Sequence, residues 1–206
     1  MTIEHVLFDA DGVLQDVPGG WHAAMEPYLG DQTEAFFRET WSHELPMLSG
    51  HGDYMPVLES ALTRYGVTES VEEIYRAVWH RIELVDTSIA LVRELRAAGF
   101  GVHLATNQEK YRGGHMRSAL GYDELFDVSC YSYDLGAMKP DRAFFEEALR
   151  RIGADASTVL FIDDTVVNVL GARDAGLAAE RWHFEQGHEV LLGYLAEHGV
   201  FVRGAR

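Results

Sequence analysis

His5-Val6-Leu7-Phe8-Asp9-Ala10-Asp11-Gly12-Val13 is the stretch on which the reading of this chain turns. Val6, Leu7 and Phe8 are consecutively apolar, the pattern of a short strand covered on both faces. In an extended chain rising ~3.3 Å per residue, side chains two apart point the same way. Asp9 and Asp11 therefore converge on one side while Ala10 faces away, and Gly12 lets the chain leave the strand sharply.

Downstream, from about Asp16 to Glu83, the strand signal disappears. Trp21, Met25, Tyr28 and Leu29 share a helix face that Gly30 can end, and Tyr54, Leu58, Leu62 and Tyr65 repeat the pattern before Gly66. Ser70 with Glu73 makes a capping box ahead of Ile74, Val78 and Ile82. Nine of the 23 aromatic residues fall in this insert, which predicts a helical lobe with its own core. After it the rhythm becomes strand–helix–strand. Ile89–Ala98 reads as a helix closed by Gly99, Phe100–Thr106 as a strand, and a helix follows to Leu120. Next come a strand near Phe126–Ser132 and a helix carrying Phe144, Phe145, Leu149 and Ile152 that Asp141 can cap. Val159–Ile162 is a buried strand, Val166–Ala175 a helix, and a shorter strand and helix finish the chain. Alternation of this kind predicts an α/β fold, a doubly wound, mostly parallel, Rossmann-like sheet. The expected division is a core of residues 1–15 and 84–206 with an all-helical cap over 16–83.

In such sheets ligands bind beyond the carboxyl ends of the strands. Four strand ends deliver polar groups there: Asp9, Asp11 and Gly12; Thr106 and Asn107; Lys139 and Pro140; Asp163 and Asp164. One carboxylate of the first pair can attack phosphorus while its neighbour protonates the leaving oxygen and later deprotonates water. The charge of a phosphate dianion can be met by magnesium held by oxygen ligands, among them Asp9, Asp164 and the Asp11 backbone carbonyl. Lys139 is the point charge for the phosphate, with the Thr106 hydroxyl and the Asn107 amide as neutral donors. Asn168, one helical turn beyond Asp164, can orient the acids or face solvent. Each pair has an ordinary alternative, such as a turn for Asp-x-Asp-Gly, a helix start for Lys-Pro and an N-cap for one of the paired acids.

The ordered set Phe8-Asp9-Ala10-Asp11-Gly12-Val13, Leu104-Ala105-Thr106-Asn107, Lys139-Pro140-Asp141 and Phe161-Ile162-Asp163-Asp164-Thr165 resembles the haloacid dehalogenase-like hydrolase superfamily. The likeness covers nearly the whole chain. It implies Asp9 as nucleophile, Asp11 as acid and base, and Thr106 and Lys139 as phosphate ligands. It also implies Asp164 as a metal ligand with Asp163 beside it, magnesium as cofactor, and a helical cap after the first motif. Val13 replaces the threonine common after the glycine, and spacing leaves open which of Asp163 and Asp164 touches the metal. The function so implied is hydrolysis of a small phosphate monoester through an aspartyl-phosphate on Asp9. The alternatives are a phosphomutase or phosphotransferase, a haloacid dehalogenase, and a non-catalytic binding protein.

Composition bounds the partners. With 17 basic against 33 acidic residues the net charge is −16, which repels nucleic acid and anionic membranes. The expected partner, a small phosphorylated metabolite, is repelled at long range too and requires local compensation by a divalent cation and a few well-placed donors. Cys130 is the one cysteine, so no intrachain disulfide forms. The N-terminus runs straight into the first strand, so a soluble cytoplasmic protein is expected. Trp21, Trp41 and Trp79 read as lobe core rather than a stacking platform, and the ten histidines show no zinc spacing.

Overall fold

The computed structural model describes residues 2–202. Along the chain, β1 (His5–Phe8) is followed by β2 (Gln15–Asp16), by α1 (Gly20–Leu29), α2 (Thr33–Leu48), α3 (Tyr54–Arg64) and α4 (Val71–Val78), and by β3 (Glu83–Leu84). Then come α5 (Asp86–Ala97), β4 (Gly101–Thr106), α6 (Lys110–Ser118), α7 (Tyr122–Leu125), β5 (Val128–Tyr131) and α8 (Ser132–Leu135). The chain continues through α9 (Arg142–Ile152), β6 (Val159–Asp163), α10 (Val166–Asp174), β7 (Ala178–Arg181) and α11 (His188–Glu197).

β1 lies at the centre of a five-stranded sheet of order β5-β4-β1-β6-β7, with every neighbouring pair parallel. Both faces are covered, as the continuous apolar runs require. Val6, Phe8, Leu104, Leu160 and Ile162 meet Ile89, Val92 and Leu95 of α5 and Leu191 and Leu195 of α11. Leu7, Ala105, Cys130 and Phe161 meet Phe144, Phe145 and Ala148 of α9 with Val169 and Ala172 of α10. Full burial of such large apolar side chains contributes ~1.5–3 kcal/mol each, so the central strand is held rigidly from both sides.

Helices α1 to α4 pack around Met25, Leu29, Phe36, Leu58, Leu62, Ile74 and Val78, a cluster distinct from the two sheet faces. Both chain crossings into this lobe run side by side as an antiparallel pair, Gln15 opposite Leu84 and Asp16 opposite Glu83. The Ser70–Glu73 capping box forms in both directions, and Gly30 follows the last residue of α1 with φ +51°.

Three local expectations change. Ile82 lies past the end of α4, which stops at Val78. Trp41 is 59% exposed rather than lobe core, whereas Trp79 is buried. Asp141 occupies the N-cap position of α9 but its side chain makes no capping hydrogen bond. The sixteen-residue α2 had no counterpart in the sequence reading, because its apolar positions are interrupted by charges and only Thr33, Phe36, Thr40 and Leu48 are buried.

Candidate active site

The carboxyl ends of β1, β4 and β6 meet in one place because the register sets Phe8 beside both Leu104 and Ile162. The Asp9 amide donates to the Ile162 carbonyl (2.9 Å), carrying the pairing one residue past β1 and bringing Asp9 up against Asp163.

Asp9 is buried, with Oδ1 accepting from the Ala10 amide at 2.7 Å and lying 2.7 Å from Lys139 Nζ. The same ammonium donates to Asp163 Oδ2 at 2.7 Å. Asp163 also accepts from the Thr165 amide (2.7 Å) and from Asn168 Nδ2 (3.1 and 3.2 Å), so both its oxygens are engaged. Asn168 is thus an orienting residue for Asp163 and is itself buried. Asp164 is freer: its carboxylate accepts only the Thr165 hydroxyl, at 3.1 Å, among the described side chains. Gly12 matters here. Its φ is +76°, and a Cβ there would lie 2.9 Å from both Cγ and Oδ2 of Asp164, so any other residue would push this carboxylate away.

Carboxylate oxygens of Asp9, Asp163 and Asp164 come within 4.8 Å of one another. An all-oxygen, all-anionic donor set suits a hard dication such as magnesium. Burial drives the Asp9 carboxyl well above the usual carboxylate range against the pull of Lys139, and Asp163 and Asp11 add to the rise. Burial likewise raises Asp164, with the charge of Asp163 second. Burial works against the Lys139 ammonium, but Asp163 and Asp9 outweigh it and keep it charged.

Asn107 sits at the strand end where expected, yet its amide donates to the Lys139 carbonyl (2.9 Å) and accepts from the Lys139 amide (2.8 Å). In this arrangement the side chain holds the lysine loop in place. Thr106 is buried, and its hydroxyl accepts from Gln108 Nε2 at 3.0 Å.

Asp11 stands in a separate network that the sequence reading missed. Arg112 of α6 grips it with a two-pronged contact, Nη1 to Oδ2 at 2.6 Å and Nη2 to Oδ1 at 2.8 Å. Gln15 Nε2 donates to Oδ1 (2.9 Å) and Gln108 Nε2 to Oδ2 (2.8 Å), while Tyr122 donates to Gln15 Oε1 (2.7 Å) and fixes it. Burial pushes the Asp11 carboxyl upward, but Arg112 and the bonds from Gln15 and Gln108 overcome it and hold Asp11 below its ordinary value. Arg112 also donates Nε to the Trp79 carbonyl (3.0 Å), shares Nη1 with Gln108 Oε1 (2.8 Å), and lies with its guanidinium carbon 4.9 Å from the centre of the Trp21 ring. Glu109 supports it from below, taking the amides of Tyr111 and Arg112 (both 2.7 Å) and the Tyr75 hydroxyl. One signal was available in the sequence, the four-residue spacing of Arg112 from the apolar Met116, which puts both on one helix face; in the structure both are buried on the inward face of α6.

Residues 3–176 match the haloacid dehalogenase-like hydrolase family. The chain belongs to that family. It is 33% identical over 88 residues to a sesquiterpene phosphatase of Aspergillus oryzae, a match spanning 43% of this chain and 45% of that protein. It is 25% identical to a phosphoglycolate phosphatase of Colwellia psychrerythraea, over 84% of this chain and 81% of the relative. In fold it resembles an enzyme of the same family from Bacteroides thetaiotaomicron, solved with magnesium and inorganic phosphate. The TM-score is 0.79 at 19% identity, covering 92% of this chain and 98% of the other. No helix among the described residues is long and apolar enough to cross a membrane.

Proposed function

We propose that this family member is a magnesium-dependent phosphatase acting on a small phosphate monoester in the cytoplasm, with Asp9 as nucleophile and Asp11 as acid and base. The observation that carries the reading is the buried Asp9 carboxylate at the end of the central strand, faced by Lys139 and the paired acids and set beside Asp11. The phosphatase names of its relatives support it.

Asp9 attacks phosphorus as a carboxylate facing the Lys139 ammonium. Asp11, protonated once it has turned off the Arg112 guanidinium that otherwise keeps it ionised, gives its proton to the leaving oxygen as that bond breaks, leaving an aspartyl-phosphate and an alcohol. Asp11, now a carboxylate, then takes a proton from water as the water oxygen attacks phosphorus, releasing phosphate and restoring both acids. Lys139 holds charge against the phosphoryl oxygens, and Thr106 and the β4 end supply neutral donors. Asp9, Asp164 and the Asp11 carbonyl would hold magnesium, with Asp163 as the acid that fixes Lys139 in place. When bound, the ion neutralises phosphoryl charge. The helical lobe of residues 16–83 is proposed as the cap that excludes water from the first step.

Single turnover in heavy-oxygen water tests the reading against carbon–halogen chemistry. Label is expected in the released phosphate and none in the peptide holding Asp9. Label in the Asp9 side chain would mean that water attacks a carbonyl carbon, and would overturn the phosphatase assignment. Chelation followed by metal titration should abolish and then restore turnover, with magnesium the best ion.

A further inference from the structure

Each of the two acids at the end of β1 has its own buried cation, Lys139 against Asp9 and Arg112 against Asp11. Lys139 belongs to the reacting phosphate. Arg112 is unaccounted for by that chemistry, and its surroundings are specific. Its side chain is 4% exposed, and three of its edges are fixed: Nε on the Trp79 carbonyl, Nη1 on Gln108, and the flat face near Trp21. Its remaining prong-pair carries the Asp11 carboxylate, whose side chain retains 40% of its exposure. The exposed part of this network is therefore on the Asp11 side of the fork. A guanidinium so held presents parallel N–H groups matched to a carboxylate or phosphate.

Resting on the phosphatase reading, we propose that Arg112 is the recognition residue for a second anionic group on the leaving portion of the substrate. The class is a short phosphate ester whose alcohol carries a carboxylate or another phosphate. That group replaces the Asp11 carboxylate on the Arg112 fork, and Asp11 turns from the arginine toward the leaving oxygen. In a chain of net charge −16, with Asp9, Asp163 and Asp164 close by, a dianionic ester with an anionic tail needs such a local cation. Because Arg112 is anchored to Trp79 of the lobe and Gln108 of the core, the tail is read where the two lobes meet. A neutral tail leaves Asp11 on the arginine.

The test compares two-carbon phosphate esters ending in a carboxylate, in a second phosphate, or in the neutral amide of the carboxylate. The protein should favour the anionic tails in kcat/KM by about 10²-fold over the amide, and the better of the two anionic arms names the tail. Arg112→Met should bring that ratio close to one, with Arg112→Lys between, since lysine keeps the charge but not the fork. Binding of the same esters to Asp9→Asn, read by calorimetry without turnover, should show the same order. Adding Asp11→Asn there should tighten the anionic tails more than the amide by removing the competing carboxylate. A wild-type ratio near one, or a ratio that survives in Arg112→Met, overturns the proposal even if every ester is hydrolysed. A binding preference that depends on Arg112, in a protein that hydrolyses none of the esters, would uphold the subsite and discard the phosphatase reading.

Discussion

The two halves of the site are built on different plans. The Asp9 half lies wholly within the sheet core: Asp163 ends β6, Thr165 follows it, Asn168 lies in the first turn of α10 and Lys139 in the loop between α8 and α9, and their bonds to one another stay there. The Asp11 half is stitched across the molecule, with Gln15 at the first lobe crossing, Gln108 and Arg112 after β4, and Trp79 and Trp21 from the helical lobe. The first half is a fixed charge arrangement. The second joins the helical lobe to the sheet core through one side chain, since Arg112 holds both the Trp79 carbonyl and the Asp11 carboxylate.

The sharpest way to break this contrast is Asp9→Asn, expected to bring turnover to background with the fold intact; surviving multiple turnover would remove the nucleophile from the fixed half. Asp11→Asn should cost ~10²–10⁴-fold on alkyl esters and much less on an aryl phosphate, whose leaving group needs little proton help. Equal losses on both would show that Asp11 acts through structure alone. Lys139→Met should lower kcat/KM by ~10²–10³-fold and reduce unfolding free energy by about 3 kcal/mol, since Asp9 and Asp163 are left facing each other. Denaturant unfolding checks the second figure, and an unchanged midpoint would mean that the pair is not stabilising.

The smallest effect probes the stitched half. Glu44 of α2 is pushed up to about 7 by burial and then by the charge of Glu109 below Arg112. Its proton is held more tightly in the folded chain than in the unfolded one. Its contribution to stability is therefore complete below about pH 4.5 and lost as pH rises through about 7. Glu44→Gln should leave stability unchanged at pH 4 and raise it by about 1–3 kcal/mol at pH 8. Parallel unfolding curves for the two proteins across that range would show that Glu44 is not held as a buried acid.

What the sequence by itself determined follows from local rules. Consecutive apolar residues bounded by polar ends marked β1, β4 and β6. The capping box at Ser70 marked the start of α4, whereas the chain past Asp9 turns at Ala10, whose carbonyl accepts the Leu14 and Gln15 amides, so Asp9 and Asp11 are not related by extended-strand alternation. Strand ends in a parallel sheet share one edge, so Asp163 and Asp164 were legible as partners of Asp9 from the sequence; Lys139 reaches Asp9 as well, but from the loop after α8 rather than from the end of β5. Tertiary structure alone decided the rest. Asp163 rather than Asp164 took the lysine because the backbone turn at Thr165 points one acid inward and Gly12 leaves room for the other. The Asn107 amide was drawn to the Lys139 backbone, where its donor and acceptor are both satisfied. Arg112 reached Asp11 across 101 positions. Nothing in the spacing of two residues that far apart encodes their contact: it arises only when a helix face, a strand end and a lobe are packed together.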